Sequence, residues 1–436
     1  LSLLLEDPGG DPRRSTELLR SLDHLPFTPT EVATIRQQLP LTRTLPRVVK
    51  PQALAHVDLF LTIHHMTDFL VMMEALQELG VAGEHVTIID KEYPYLLTGR
   101  VDAHLRHRFK ARVFLYSDIE TAIVSHVEAA RRRGRRTLVI DDGGYVFPVI
   151  FRACPEVLGD FVGLVEQTVS GIWKLASLPP LPVPLFSVAE SNLKATIESY
   201  GIADAAVRNV LSLLPQEKLE GQPALVIGFG RIGQELANVL RTRRMHVAVF
   251  DRELVRLVAA HERGFLTSDS LSELVAHHRP LVIAGTTGGD AMVREHFEHV
   301  RRDCFAFSVT SRDREFNLRD LTGLSVDVTA RGRLGREYRL ASGPRITVLA
   351  NGFPVNFHYA ESLPNKYVDI VLASLLLGAC TLAGPDHGFQ PGDNLARTNV
   401  ILDASPILRH YYELYRPRLD GGPLGTARHD GPAAAP

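Results

Sequence analysis

The sequence predicts an α/β fold of two domains with a cleft between them, and three observations carry that reading. Apolar runs of strand length alternate with amphipathic helical stretches, the rhythm of a parallel sheet wrapped by crossover helices. The alternation breaks at a proline-rich segment, 178–184, and restarts at Gln222. The second unit opens with a strand that runs directly into a glycine turn and then a helix. A chain of 436 residues is also too long for one ordinary core, since domains usually hold about 100 to 200 residues.

In chain order, residues 1–45 are polar and proline-punctuated and read as a helical lead-in to a first domain, 1–204. Its predicted strands are 57–63, 86–89, 112–115 and 137–140, each a short apolar run of the kind a sheet buries on both faces. The second domain, 205–360, has strands near Val247, Leu281, Ala306 and Ile346 after its opening one. An apolar helical run, 367–382, lies in a segment, 361–412, expected to return and pack on the first domain. The remainder, 413–436, is rich in Gly, Pro and Ala and reads as a flexible tail.

Composition excludes several classes. A formal charge of -2 gives no field for gathering nucleic acid or anionic lipid, and the basic run at 131–136 reads as a solvated helix end. Cys154, Cys304 and Cys380 are widely separated and fit neither a metal spacing nor a paired framework, so no disulfide, no metal and a reducing compartment are expected. The opening Leu-Ser-Leu-Leu-Leu is too short for a signal peptide, and no apolar stretch is read as long enough to span a membrane; a cytoplasmic location follows as the expectation.

The chemistry begins at 224–237, Ala-Leu-Val-Ile-Gly-Phe-Gly-Arg-Ile-Gly-Gln-Glu-Leu-Ala. Gly228 permits the tight turn, Gly230 lets backbone approach a pyrophosphate, and Gly233 allows close helix packing, with the helix N-terminus facing the negative charge. A second strand ends in Asp251 about twenty residues on, where a carboxylate accepts the ribose hydroxyls of NAD. This is a Rossmann-type dinucleotide site, and the acid disfavours the 2′-phosphate of NADP.

With the loop placed, its surroundings fall into a familiar order: His65-Met-Thr, Leu138-Val-Ile-Asp-Asp-Gly-Gly, Glu166-Gln-Thr-Val-Ser-Gly, Lys194 ahead of Tyr200-Gly201, the glycine loop, Thr286-Thr-Gly, His296-Phe-Glu and Val355-Asn. Over roughly residues 45–385 the chain resembles a divergent member of the S-adenosylhomocysteine hydrolase family. The resemblance implies two Rossmann-like domains and a tightly held NAD that oxidises the 3′-hydroxyl of a nucleoside. That oxidation acidifies the 4′ hydrogen and permits elimination and hydration at C5′. By the same resemblance Lys194 and Glu198 serve the 3′-hydroxyl, and four-residue spacing puts them on one helix face. His65 and Asp142 match the acid/base pair near C4′ and C5′, and Thr67, Asp68 and Gln167 fall among the substrate contacts. Thr168, Ser170, Ser199, Arg231, Ile232, Thr286, Thr287, Val309 and Asn356 fall among the cofactor contacts, although threonines such as Thr286 and Thr287 also commonly cap helices.

The departures cluster in the substrate half. Gln167 replaces a ribose-binding glutamate, and Phe69 stands where the family has the glutamate that reads the adenine amine, with Asp68 one residue earlier. Ser311 and Leu363 replace two site histidines, and residues 409–436 hold no evident match to the family's C-terminal lysine and tyrosine. Three readings follow. One is an enzyme of this chemistry acting on S-adenosylhomocysteine or a related thioether. Another is an oxidoreductase or lyase of specialised metabolism acting on a different nucleoside or furanose. The third is a non-catalytic NAD-binding regulator. The implied assembly is a homo-oligomer, dimer or tetramer, with a small nucleoside as the other partner.

Overall fold

A computed structural model describes residues 24–93, 95–310, 314–358 and 365–416. The expectations for Ser311, for Leu363 and for the tail beyond residue 416 lie outside the described residues. The first sheet is built from β1 (Val57–Ile63), β2 (Val86–Asp90), β3 (Arg112–Leu115), β4 (Arg136–Asp141), β5 (Phe161–Glu166) and β6 (Pro184–Ser187). The second holds β7 (Pro223–Ile227), β8 (His246–Phe250), β9 (Leu266–Thr267), β10 (Val282–Gly285), β11 (Cys304–Ser308), β12 (Ser325–Ala330), β13 (Gly335–Leu340) and β14 (Arg345–Leu349). A two-residue strand, β15 (Gly392–Asp393), returns to pair with β6, so the first sheet reads β15-β6-β5-β4-β1-β2-β3.

In the first sheet the chain moves outward from β1 to β3 and then jumps back to β4 on the other side of β1. The second does the same around β7, in the order β12-β13-β14-β11-β10-β7-β8-β9. At each reversal two neighbouring strands release their chains in opposite directions, which opens a crevice beyond their carboxyl ends. The first crevice lies between the ends of β1 and β4, where the Asp142 N–H donates to Thr62 O. The second lies between β7 and β10, where the Thr286 N–H donates to Ile227 O. The hairpin β12–β13 adds two antiparallel strands beside β14, with β12 at the edge, which the reading of the sequence did not separate.

One helix, Asn192–Leu213, runs through the boundary expected between residues 204 and 205. Leu193 joins the apolar core of the first domain, whereas Ala203, Ala206, Val207 and Val210 join that of the second. The two domains are thus mounted on one rod. The helices Pro29–Gln37 and Pro40–Val48 are more than a lead-in, since Val32, Leu39, Leu41 and Leu45 are buried in the first core.

The helix Asn365–Ala383 packs against β4, β5 and the helices Pro40–Val48 and Asp68–Glu78. By length and composition it is apolar enough to cross a membrane, contrary to the reading from sequence, but 78% of its apolar window is buried in the protein. Its apolarity serves the core. The fully buried Asp369 on this helix accepts hydrogen bonds from Leu41 N, Thr42 N and Thr42 Oγ1 and from the Tyr415 hydroxyl at 3.1 Å, tying N- and C-terminal elements to one carboxylate. Replacing it strands buried backbone donors, so Asp369→Ala is expected to lower unfolding free energy by about 2 to 4 kcal/mol. Urea denaturation checks this; a change within about 0.5 kcal/mol, the usual surface-site range, would show that those donors find other partners.

Candidate active site between the two sheets

On the cofactor side, the strand β7 ends at a turn that only glycine fits comfortably. Gly228 has φ +99°, and a Cβ there would lie 2.9 Å from Thr286 Oγ1; a Cβ on Gly233 would lie 2.0 Å from the Gly228 carbonyl oxygen. Gly230 is different. A Cβ there meets only Arg256 Nη1, at 3.9 Å, so its outer face is left open for an approaching group. Asp251, at the end of β8, accepts from Phe229 N at 2.6 Å and Glu253 N at 2.8 Å, which locks the acid beside the loop. Thr286 holds the loop from the other strand, donating to Gly228 O at 2.8 Å.

The loops beyond β10 and β11 are gathered by Glu315, which sequence reasoning missed. Its buried carboxylate accepts from Thr287 N, Thr287 Oγ1, Gly288 N and the Thr310 hydroxyl. Burial raises its pKa, and those donors pull the other way. Glu166 does the same work in the first domain, accepting from Gly143 N, Gly144 N, Thr168 N and Thr168 Oγ1. Burial and then the neighbouring Asp141 push Glu166 up to about 8.

Between the sheets lies a cavity of about 700 Å³. Into it come Asp68, Asp142, Gln167, Thr168, Ser170, Lys194, Glu198 and Ser199 from the first domain and the bridging helix. From the second come Gly228, Gly230, Arg231, Ile232, Asp251, Thr286, Thr287, Val309 and Asn356. Gly233 packs behind the loop. Lys194 Nζ sits 3.2 Å from Glu198 Oε2 and donates to Gln167 O. Burial raises the Glu198 pKa, and Lys194 opposes that. The Oδ1 of Asn356 and the Oε1 of Gln167 are buried without a hydrogen-bond partner, as polar atoms meant for a bound group are. The open face of Gly230, the locked Asp251 and the orphaned Asn356 fit NAD.

Two expectations are corrected. His65 does not meet Asp142: it is fully buried beneath the site, with Nδ1 2.5 Å from Asp102 Oδ1 and its ring stacked near Phe69. The histidine in the cavity is His64, whose Nε2 lies 3.1 Å from Asp142 Oδ2. The chain leaves β1 one residue out of step with the motif, so the neighbour points into the cleft. Thr67 likewise is buried beside the helix Asp68–Glu78 and does not line the cavity, whereas Asp68 does and Phe69 fills the core. A second residue that sequence reasoning missed is Lys91, just beyond β2, 3.2 Å from Asp142 Oδ1 and 3.1 Å from His64 Nε2. The Tyr95 hydroxyl hydrogen-bonds His64 Nδ1. No motif marked Lys91, because only the sheet order brings the end of β2 to the ends of β1 and β4.

Fold and loop together define a two-domain dinucleotide-binding protein with a second polar site facing the cofactor loop. Residues 200–362 match the family profile described as the S-adenosyl-L-homocysteine hydrolase, NAD binding domain. Adenosylhomocysteinase from Thermococcus kodakarensis is 25% identical over 244 residues, 54% of this chain and 56% of that protein. The enzyme of that name from Thermosynechococcus vestitus is 25% identical over 369 residues, 83% of each chain. Among solved structures, a D-isomer specific 2-hydroxyacid dehydrogenase family protein from Aeromonas salmonicida aligns with 73% of this chain and 94% of its own, at 18% identity and a TM-score of 0.39. Residues 200–362 are thus similar to the NAD-binding domain of that family, and the cofactor of this chain is NAD.

Because a methyl at Gly233 has no room, Gly233→Ala is expected to weaken NAD binding at least tenfold, about 1.4 kcal/mol or more. Trp173, the single tryptophan, lines the same cavity, so quenching of its fluorescence by NAD measures the effect. Undiminished affinity would show that the loop does not cradle the dinucleotide.

Proposed function

We propose that the chain is an NAD-dependent enzyme that oxidises the 3′-hydroxyl of a nucleoside, S-adenosylhomocysteine or a related thioether, to enable elimination and hydration at C5′. The observation that carries this is the convergence, in one cavity, of the dinucleotide loop with Lys194, Glu198, His64 and Asp142. Bound in that cavity, NAD would supply the hydride acceptor for the oxidation and the hydride for the closing reduction. Lys194, oriented by Glu198 and Gln167 O, takes the hydroxyl proton. Glu198, whose pKa burial raises against the pull of Lys194, passes that proton on. His64 faces the C4′ and C5′ side and moves the carbon-bound proton, and Asp142 orients it. Gln167 offers a neutral amide to a ribose hydroxyl. The apolar floor, where Met66, Tyr93 and Tyr95 pack with Phe353 of the second domain, keeps water from the reacting carbons.

Asp68 supports a variant of this reading. It enters the cavity four residues after His64 with a side chain shorter than the glutamate implied by the resemblance, and together with uncharged Gln167 it favours a nucleoside other than S-adenosylhomocysteine as the better substrate. A cytoplasmic homo-oligomer is part of the proposal.

Incubation with adenosine, S-adenosylhomocysteine and other nucleosides in deuterated water tests it. The expected signals are NADH absorbance and deuterium at C4′, with thiol release from the thioether if that is the substrate. Lys194→Ala is expected to abolish NADH formation, by about a hundredfold or more, and to spare NAD binding. His64→Ala is expected to remove C4′ exchange while leaving NADH formation measurable. If no nucleoside reduces the bound cofactor, the reaction is not this one.

A further inference from the structure

Lys91 has no part in the chemistry proposed above, yet its position is costly to maintain. Its side chain is only 3% exposed, and Nζ sits 3.2 Å from Asp142 Oδ1 and 3.1 Å from His64 Nε2, while that same Nε2 is 3.1 Å from Asp142 Oδ2. An ammonium, a carboxylate and one imidazole nitrogen therefore close a triangle. A carboxylate at this distance ordinarily stabilises an imidazolium. A cation equally close to the same nitrogen opposes it with Coulomb energy of the same size and opposite sign.

The geometry points to Lys91 as a positioning residue that takes up the charge of Asp142 and so keeps His64 an uncharged imidazole, free to accept a proton. The other groups around His64 do not replace it. Tyr93 and Tyr95 stand against its ring, with centroids 5.1 and 5.4 Å away, and are neutral phenols. His65 is adjacent, and Asp102 and Asp90 hold its Nδ1 at 2.5 and 3.4 Å. Lys194 acts on His64 in the same direction as Lys91 but less, and Glu198, 3.2 Å from its Nζ, opposes it. Asp68 and Tyr145 act on Tyr95 rather than on the imidazole. The directions of titration agree: burial and then Lys91 depress His64 to about 3. Asp142, which burial alone would raise, is held low by Lys91, His64 and Lys194. Lys91 itself, which burial would lower, is raised by Asp142 and the flanking tyrosines.

The sign of the effect of removing Lys91 follows. Without the cation, His64 and Asp142 become a plain buried ion pair, and the imidazole holds its proton to a higher pH. A base that must be neutral then fails at a pH where the native site still works. The inference rests on the proposed function only for the use made of the neutral imidazole. The charge state can be read without turnover.

The test is NMR titration of imidazole-labelled full-length protein with NAD bound, with the His64 signal assigned from His64→Gln. In the native protein His64 is expected not to titrate between about pH 5 and 8. In Lys91→Met, and equally in Lys91→Gln, which keeps a donor without the charge, its midpoint is expected to rise into that range, by more than about two pH units. The acid limb of C4′ exchange is expected to move up with it, and Lys91→Arg, which restores the cation, to leave His64 silent. Were His64 to titrate near its ordinary value of about 6.5 in the native protein, or to stay silent in the folded Met and Gln variants, the role of Lys91 would be overturned. Shifted titration without any C4′ exchange would uphold Lys91 and count against the proposed reaction instead.

Discussion

The helix Asn192–Leu213 is one unbroken rod whose first turns belong to one core and whose last turns belong to the other, and the geometry of the cleft depends on it. Lys194, Glu198 and Ser199 ride on its N-terminal half and face the cavity, while Ala203 to Val210 anchor it in the dinucleotide domain. The distance from substrate groups to cofactor loop is set by helix pitch rather than by a flexible joint. A second bridge, Phe353 against Tyr93 with ring centroids 6.1 Å apart, closes the other side.

Each sheet solves the same problem at its carboxyl edge. Loops that leave a switch point carry several N–H groups that no strand can satisfy, and each domain places buried carboxylates there, among them Glu166 in the first and Glu315 in the second. The cost of burying an acid is offset by four donors apiece. These acids hold the loops that line the cavity.

The glycine loop and Asp251 were legible because their chemistry is local, a turn and a strand end, whereas the Lys194/Glu198 pair was legible only through the resemblance, its spacing alone reading as a surface pair. The histidine was legible only to within one residue. A chain leaving a strand can rotate by a single position, and with two adjacent histidines the rotation decides which one faces Asp142 and which one meets Asp102. The same one-residue offset sends Phe69 into the core and Asp68 into the cavity. Lys91 was invisible because nothing in its neighbourhood along the chain announces that β2 lies next to β1 on the far side from β4.

By itself the sequence determined the two α/β units, the dinucleotide loop and the NAD that the loop takes. These rest on short-range constraints, the period of buried strands and the steric demands of a phosphate turn. Tertiary structure decided which histidine enters the cleft, that a buried lysine stands behind it, and that an apolar helix belongs to a core rather than to a membrane. Those outcomes depend on sheet order and on the direction of single side chains. Charges placed by three separate strands meet only after the sheet has formed, so their balance cannot be read one segment at a time.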